Sequence, residues 1–71
     1  MFKKGHLVML ASDDPYIVST ANKGGMFKIM PDMLGLFLGY TETYLSYSVA
    51  VVLFGDVMLS ISADKLKAVS I

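Results

Sequence analysis

The alternation of apolar and polar positions predicts β-strands along most of the chain, most clearly in its second half. Residues 46–54 and Val57–Ser62 are rich in β-branched and aromatic side chains, which strands favour and helices disfavour. The glycine at position 55 suits a tight turn, because glycine tolerates positive φ. These features predict a central β-hairpin with its turn at Gly55 and Asp56.

Side chains alternate between the two faces of a strand, so the hairpin has two distinct sides. The uniformly apolar side is assigned to the core, and it consists of Tyr47, Val49, Val51, Leu53, Val57, Leu59 and Ile61. Val52, Phe54 and Met58 then fall on the outer side. A shift of one residue would exchange the two faces of a strand, and this alternative stays open.

Other segments predict further strands. Leu7–Leu10 is a short apolar run with Val8 and Leu10 pointing inward. Residues 16–18 and 26–29 flank a turn sequence at 22–25, which predicts a protruding hairpin arm. Residues 33–40 form a strand whose glycines indicate bends or close backbone approach, with Phe37 on its outer face.

The pattern of the last nine residues predicts one helical turn and a closing strand. Residues 63–66 form the turn, with Ser62 as its N-terminal cap, and residues 67–71 form the last strand. The chain has 71 residues, which is enough for one domain. The predicted fold is therefore a single all-β domain over residues 1–71, with about five main strands and an arm.

This order of elements resembles that of an SH3-like barrel. The resemblance is carried by residues 4–10, 30–36, 51–56 and 63–66, which span nearly the whole chain. Their spacing is similar to that of small open reading frames of tailed bacteriophages. The resemblance implies a protein made in the cytoplasm of an infected bacterium, with a host or viral protein as a possible partner. His6 departs from the pattern, because such first strands often carry aspartate there.

Composition favours self-association. The chain is 55% hydrophobic, contains no cysteine and has a single histidine, so neither a disulfide nor a Cys2His2 zinc site can staple a small core. Burial against another copy is the remaining way to gain apolar contact. The predicted interface consists of the outer apolar residues Phe37, Val52, Phe54 and Met58. Replacing Phe37 or Val52 by lysine is expected to dissociate the assembly.

Nucleic-acid binding is the alternative function. The first and last strands of an SH3-like barrel are neighbours, so Lys3, Lys4, Lys65 and Lys67 could form a basic patch. The formal net charge of zero and the absence of arginine count against this interpretation.

The sequence predicts no enzyme, cofactor or metal site. His6 has no evident catalytic partner, and the acidic residues lack the spacing of a calcium loop. Recognition of a polyproline helix would need an aromatic groove, and the chain has four tyrosines but no tryptophan. Asp56 interrupts the most apolar region, so no transmembrane helix is expected. The N-terminus lacks a signal-peptide pattern, which favours a cytoplasmic location.

Overall fold

A computed structural model describes residues 2–41 and 49–69. Seven strands lie in these ranges: β1 Leu7–Leu10, β2 Tyr16–Ser19, β3 Met26–Ile29, β4 Gly35–Tyr40, β5 Val49–Phe54, β6 Val57–Ser62 and β7 Leu66–Ala68. A 3-10 turn, Ala63–Lys65, connects β6 to β7. The all-β class is confirmed. The predicted parts of the central hairpin and last strand at residues 46–48 and 70–71 lie outside the described residues.

Five strands form one antiparallel sheet in the order β6-β5-β4-β1-β7, and β2 pairs with β3 in a separate hairpin. The central position of β4 follows from its two partners, β1 and β5. β7 pairs with β1, so the first and last strands are neighbours as expected. The two-residue turn at Gly55 and Asp56 joins β5 to β6, and Gly55 takes a φ of 64°. A glycine at the first turn position fits a tight hairpin.

The predicted faces of β5 are wrong. Ala50, Val52 and Phe54 point into the core, whereas Val49, Val51 and Leu53 are half-buried on the other face. The register gives the reason, because Val52 lies opposite Leu59 and residues directly opposite each other share a face of the sheet. The inward assignment of Leu59 and Ile61 is confirmed, as is that of Val8 and Leu10 on β1.

The predicted outward position of Phe37 on β4 is also wrong. Phe37 is only 2% exposed, and its ring packs 5.5 Å from Phe2 and 4.9 Å from Tyr40, centroid to centroid. The pairing with β5 skips one residue between Phe37 and Gly39, which is the signature of a β-bulge. The bulge puts Phe37 and Tyr40 on the same inner side, although strict alternation would separate them.

Three of the four residues assigned to the interface therefore lie in the core. Phe37, Val52 and Phe54 are each at most 3% exposed, and only Met58 remains half-exposed. Lysine at position 37 or 52 would place a charge in an apolar interior, so it would unfold the chain rather than release a partner.

A glycine on β4 allows the close packing that the sequence indicated. A Cβ atom at Gly35 would lie 2.6 Å from Cγ1 of Val52 and 2.8 Å from the ring of Phe54. The two side chains occupy the space that any other residue at position 35 would need. Gly35 is thus a packing requirement of the core, as its position in a strand suggests.

The hairpin arm is present, but it folds onto the sheet instead of protruding. Ile29 is completely buried, and the ring of Phe27 stacks 6.2 Å from that of Phe54. Thr20 forms an isolated bridge with Leu59 of the edge strand β6. The arm therefore covers part of the core and shields the β6 edge, which would otherwise expose unpaired backbone groups.

The turn between β2 and β3 is held by the side-chain amide of Asn22, which forms hydrogen bonds with backbone groups as a neighbouring strand would. The side-chain amide of Asn22 donates to the carbonyl of Asp56 and accepts from the N–H of Met58, both at 2.9 Å. The N–H of Ala21 donates to the Met58 carbonyl at 2.7 Å, and Lys23 Nζ lies 2.8 Å from a carboxylate oxygen of Asp56. These contacts fix the arm against the β5–β6 turn.

The 3-10 turn has Ser62 at its N-terminal cap position, as predicted, but the capping bond is absent. The hydroxyl of Ser62 instead donates to the carboxylate of Asp64.

Candidate interaction surface

The outer face of the main sheet carries a continuous row of apolar side chains. Leu7 lies opposite Leu36, Leu36 opposite Leu53, and Leu53 opposite Met58. The N–H of Val69 donates to the carbonyl of Leu7 at 2.9 Å, which extends the row past the end of β7. The outer row is defined as these five residues, which cross the sheet in the order Met58, Leu53, Leu36, Leu7 and Val69.

The outer row is accessible, most of all at its centre. Leu36 is 37% exposed, and the other four members are half-buried. Leu34, just before β4, is 52% exposed. Directly opposed side chains lie about 4.5–5.5 Å apart at Cβ, so the row is contiguous. A contiguous apolar strip on a small domain is the usual mark of a contact surface.

This surface differs from the predicted interface in all but one residue. The predicted faces of β5 and the predicted outward position of Phe37 on β4 were wrong. Phe37, Val52 and Phe54 were therefore assigned to the surface, and Leu53 was assigned to the core. A two-residue turn pairs Phe54 with Val57, and this pairing carries the correct register. The inward assignment of Val57, Leu59 and Ile61 therefore implied that Phe54 and Val52 also point inward.

The five residues of the outer row are uncharged, and among the described residues Lys67 and Asp56 lie at its borders. Lys67 is opposite Met9 on the β7 side of the sheet, two residues along the strands from the row and on the same face. Asp56 lies in the β5–β6 turn, at the opposite side of the sheet. Its side chain is 79% exposed although it pairs with Lys23. The hydrogen bond and charge of Lys23 lower the pKa of Asp56, so this carboxylate is ionised at neutral pH.

The lysines of the alternative function are spread along the β1–β7 pair: Lys3, Lys4, Lys65 and Lys67. Lys3 and Lys4 precede β1, whereas the carbonyl of Lys65 accepts from the N–H of Ala11 beyond its other end. β1 itself is about 13 Å long, so the backbones of Lys4 and Lys65 lie beyond opposite ends of this strand, and Lys67 lies between them opposite Met9. Nucleic-acid binding stays a prediction, and binding through these lysines would have to weaken steeply with added salt.

A cleft of about 300 Å³ lies between the loop after β1 and the 3-10 turn. Its lining includes Pro15, Tyr16, Asp14, Asp64 and Lys65. The Lys65 ammonium lies 5.8 Å from the centre of the Tyr16 ring, within cation–π range. Among the described residues, Tyr16 is the one aromatic side chain that lines the cleft, whereas a polyproline groove needs several.

His6 occupies an exposed turn before β1. Its Nδ1 atom accepts from the N–H of Lys3 at 3.2 Å, which is a local turn contact. Within residues 2–41 and 49–69, no three histidine, cysteine or acidic side chains are grouped closely enough to hold a metal ion.

Comparison of the chain with protein-family models, with curated proteins and with solved structures finds no match. Over the described ranges, no helix has the length and hydropathy that crossing a bilayer requires. The outer row is therefore the feature of the described chain that points most directly to a function.

Proposed function

We propose that this protein is a non-enzymatic, SH3-like binding and assembly module that self-associates through the outer row. The contiguous, uncharged strip across four paired strands is the observation that carries the proposal. Burial of apolar area contributes about 25 cal/mol per Å², so covering this strip would stabilise a complex.

The strand order supports an SH3-like architecture. The sheet runs β6-β5-β4-β1-β7, the arm lies between β1 and β4, and a 3-10 turn precedes β7. This arrangement matches the order of elements that the sequence resemblance implies. The bridge between Thr20 and Leu59 brings the arm beside the edge strand β6 of the open sheet.

The small size of the core supports self-association. Ten apolar side chains of the described residues form the buried cluster, with no cysteine in the chain to cross-link it. Small domains of this size commonly gain stability by oligomerisation when they lack disulfides or metals. A second copy on the outer row would supply that extra burial.

The biological setting follows from the resemblance to phage reading frames. The module would be made in the cytoplasm of an infected bacterium. There its assembled form would contact a host or virion protein through protein–protein contacts. Its role would be to modulate the host or to assemble the particle, without catalysis and without a cofactor.

Light scattering coupled to size-exclusion chromatography tests the proposal. The chain has a mass of 7.7 kDa, so self-association gives a larger mass that decreases on dilution. Leu36→Lys should return the mass to 7.7 kDa, because it places a charge at the centre of the row. Ile17→Lys is the matched control, since Ile17 is exposed on β2 of the arm.

A wild-type mass of 7.7 kDa at all concentrations up to several hundred micromolar would refute self-association. A Leu36→Lys protein that keeps the larger mass and the wild-type circular dichroism spectrum would refute the outer row as the interface.

A further inference from the structure

The outer row is symmetric about the middle of the sheet. β4 is the third of five strands, and Leu36 on β4 is the third of the five members of the row. Leu53 and Leu7 lie one strand away on either side, and Met58 and Val69 lie two strands away. Every position therefore has an apolar counterpart at the same distance across the centre.

We infer that the partner is a second copy of this chain, packed face to face about a two-fold axis that runs along β4. This inference rests on the proposed function and specifies its geometry. Rotation about this axis reverses the strand order, so β6 of one copy faces β7 of the other. The outer row of one copy then lies directly over the outer row of the other. Leu36 then meets Leu36 of the second copy, and Leu7 meets Leu53 of the second copy. The interface is isologous and closes as a dimer, as two-fold contacts do.

The charges at the borders fit this arrangement. The same rotation that exchanges β7 with β6 brings Lys67 of each copy towards the Asp56 side of the other. Lys67 and Asp56 lie near opposite edges of one sheet. At each of two corners of the dimer, Lys67 of one copy therefore lies near Asp56 of the other. The exposed carboxylate of Asp56 can face a second cation in addition to Lys23. Two copies therefore attract at the corners, and the uncharged row carries no repulsion between them.

An average side of this molecule is close in area to what each partner of a standard interface buries. The total accessible surface is 4642 Å², so one sixth of it, the average for one side of the molecule, is about 770 Å². Standard interfaces bury about 800 Å² per partner. The exposed leucines of this face, at positions 34 and 36, lie on or beside the central strand, where two outer faces would meet first. A partner other than a second copy of this chain would not require this symmetry about β4.

Single-cysteine cross-linking tests the geometry, because the chain has no cysteine of its own. Stacked sheets lie about 10 Å apart, which a short bismaleimide can span. Leu36→Cys should cross-link to a dimer about tenfold or more faster than Ile17→Cys, because the interface raises the local thiol concentration to the millimolar range. Leu34→Cys gives a second, independent position over the axis.

A mixture of Leu7→Cys and Leu53→Cys proteins provides the sharper test. The mixture should yield cross-linked heterodimers faster than either protein yields homodimers, since each of these residues meets the other across the axis. Faster homodimer formation would overturn this geometry and leave self-association standing. The same conclusion would follow if Ile17→Cys reacted faster than both the Leu34→Cys and Leu36→Cys proteins in a sample that light scattering shows to be dimeric. A monomeric wild type would overturn both.

Discussion

Phe37 and Leu36 are adjacent on β4, yet the structure gives them opposite roles, and their substitutions should separate accordingly. Phe37 is 2% exposed and makes two ring contacts, to Phe2 and Tyr40. Each aromatic pair is worth about 0.5–1.5 kcal/mol beyond area burial. Phe37→Leu keeps an apolar side chain but loses both pairs, so it should lower the free energy of unfolding by about 1–3 kcal/mol.

Phe37→Ala would remove too much of the free energy of unfolding for an accurate measurement. Phe→Ala in a core costs about 3–5 kcal/mol, and a domain of 71 residues has a total stability of about 4–11 kcal/mol. Leu36→Ala is the better comparison, because Leu36 faces outward and should cost less than about 1 kcal/mol in the monomer.

Urea denaturation at low micromolar concentration, where dissociation is favoured, measures both values. The midpoint should fall clearly for Phe37→Leu and only slightly for Leu36→Ala, with similar slopes. Equal costs, or a larger cost for Leu36→Ala under these dilute conditions, would contradict the inward position of Phe37.

Three further predictions concern packing, the arm and acid stability. Gly35→Ala should lower the free energy of unfolding by about 1–3 kcal/mol in urea, because Val52 and Phe54 fill the space of its methyl group; wild-type stability would contradict this packing. Asn22→Ala should cost about 1–2 kcal/mol and raise amide exchange at Met58, since two hydrogen bonds are lost; unchanged exchange would show that the arm is held otherwise. Because Lys23 lowers the pKa of Asp56 in the folded state, this pair stabilises above the unfolded pKa, and its contribution is lost as the pH falls through the folded pKa. Asp56→Asn should therefore flatten the acid limb of the urea midpoint against pH, and an unaltered limb would exclude this pair as its cause.

The sequence predicted the strands well where local signals agree. Residues 22–25 combine asparagine and two glycines, and the strands on either side of them were found where the pattern placed them. Gly55 and Asp56 likewise marked the turn of the central hairpin. Such turns are encoded by residues whose backbone preferences are local, so one sequence is sufficient to locate them.

The faces of β4 and β5 could not be assigned from alternation alone. Both sides of β5 are apolar near the turn, so composition does not distinguish Val52 from Val51. The bulge after Phe37 also breaks the period of two, and no residue type announces it unambiguously. Tight pairing of Phe54 with Val57 across the turn was the usable signal, because it fixes the inner face of β5 from that of β6.

The position of the arm on the sheet could not be predicted from the sequence for a different reason. The clamp between Asn22 and the Asp56–Met58 backbone joins residues more than thirty positions apart. Such a contact depends on how the arm folds back over the sheet, which local propensity does not specify. The outer row was missed for the same reason, since it exists only when strands β1, β4, β5 and β6 are placed in register.

The measurement that tests the central claim most directly is a dilution series followed by methyl NMR of the wild-type protein. Binding through the outer row predicts concentration-dependent shifts for the methyl groups of Leu7, Leu36 and Leu53, with Ile17 and Met26 of the arm unchanged. Shifts confined to the arm, or spectra that do not change from micromolar to millimolar concentration, would contradict the claim that the outer face of the sheet joins two copies.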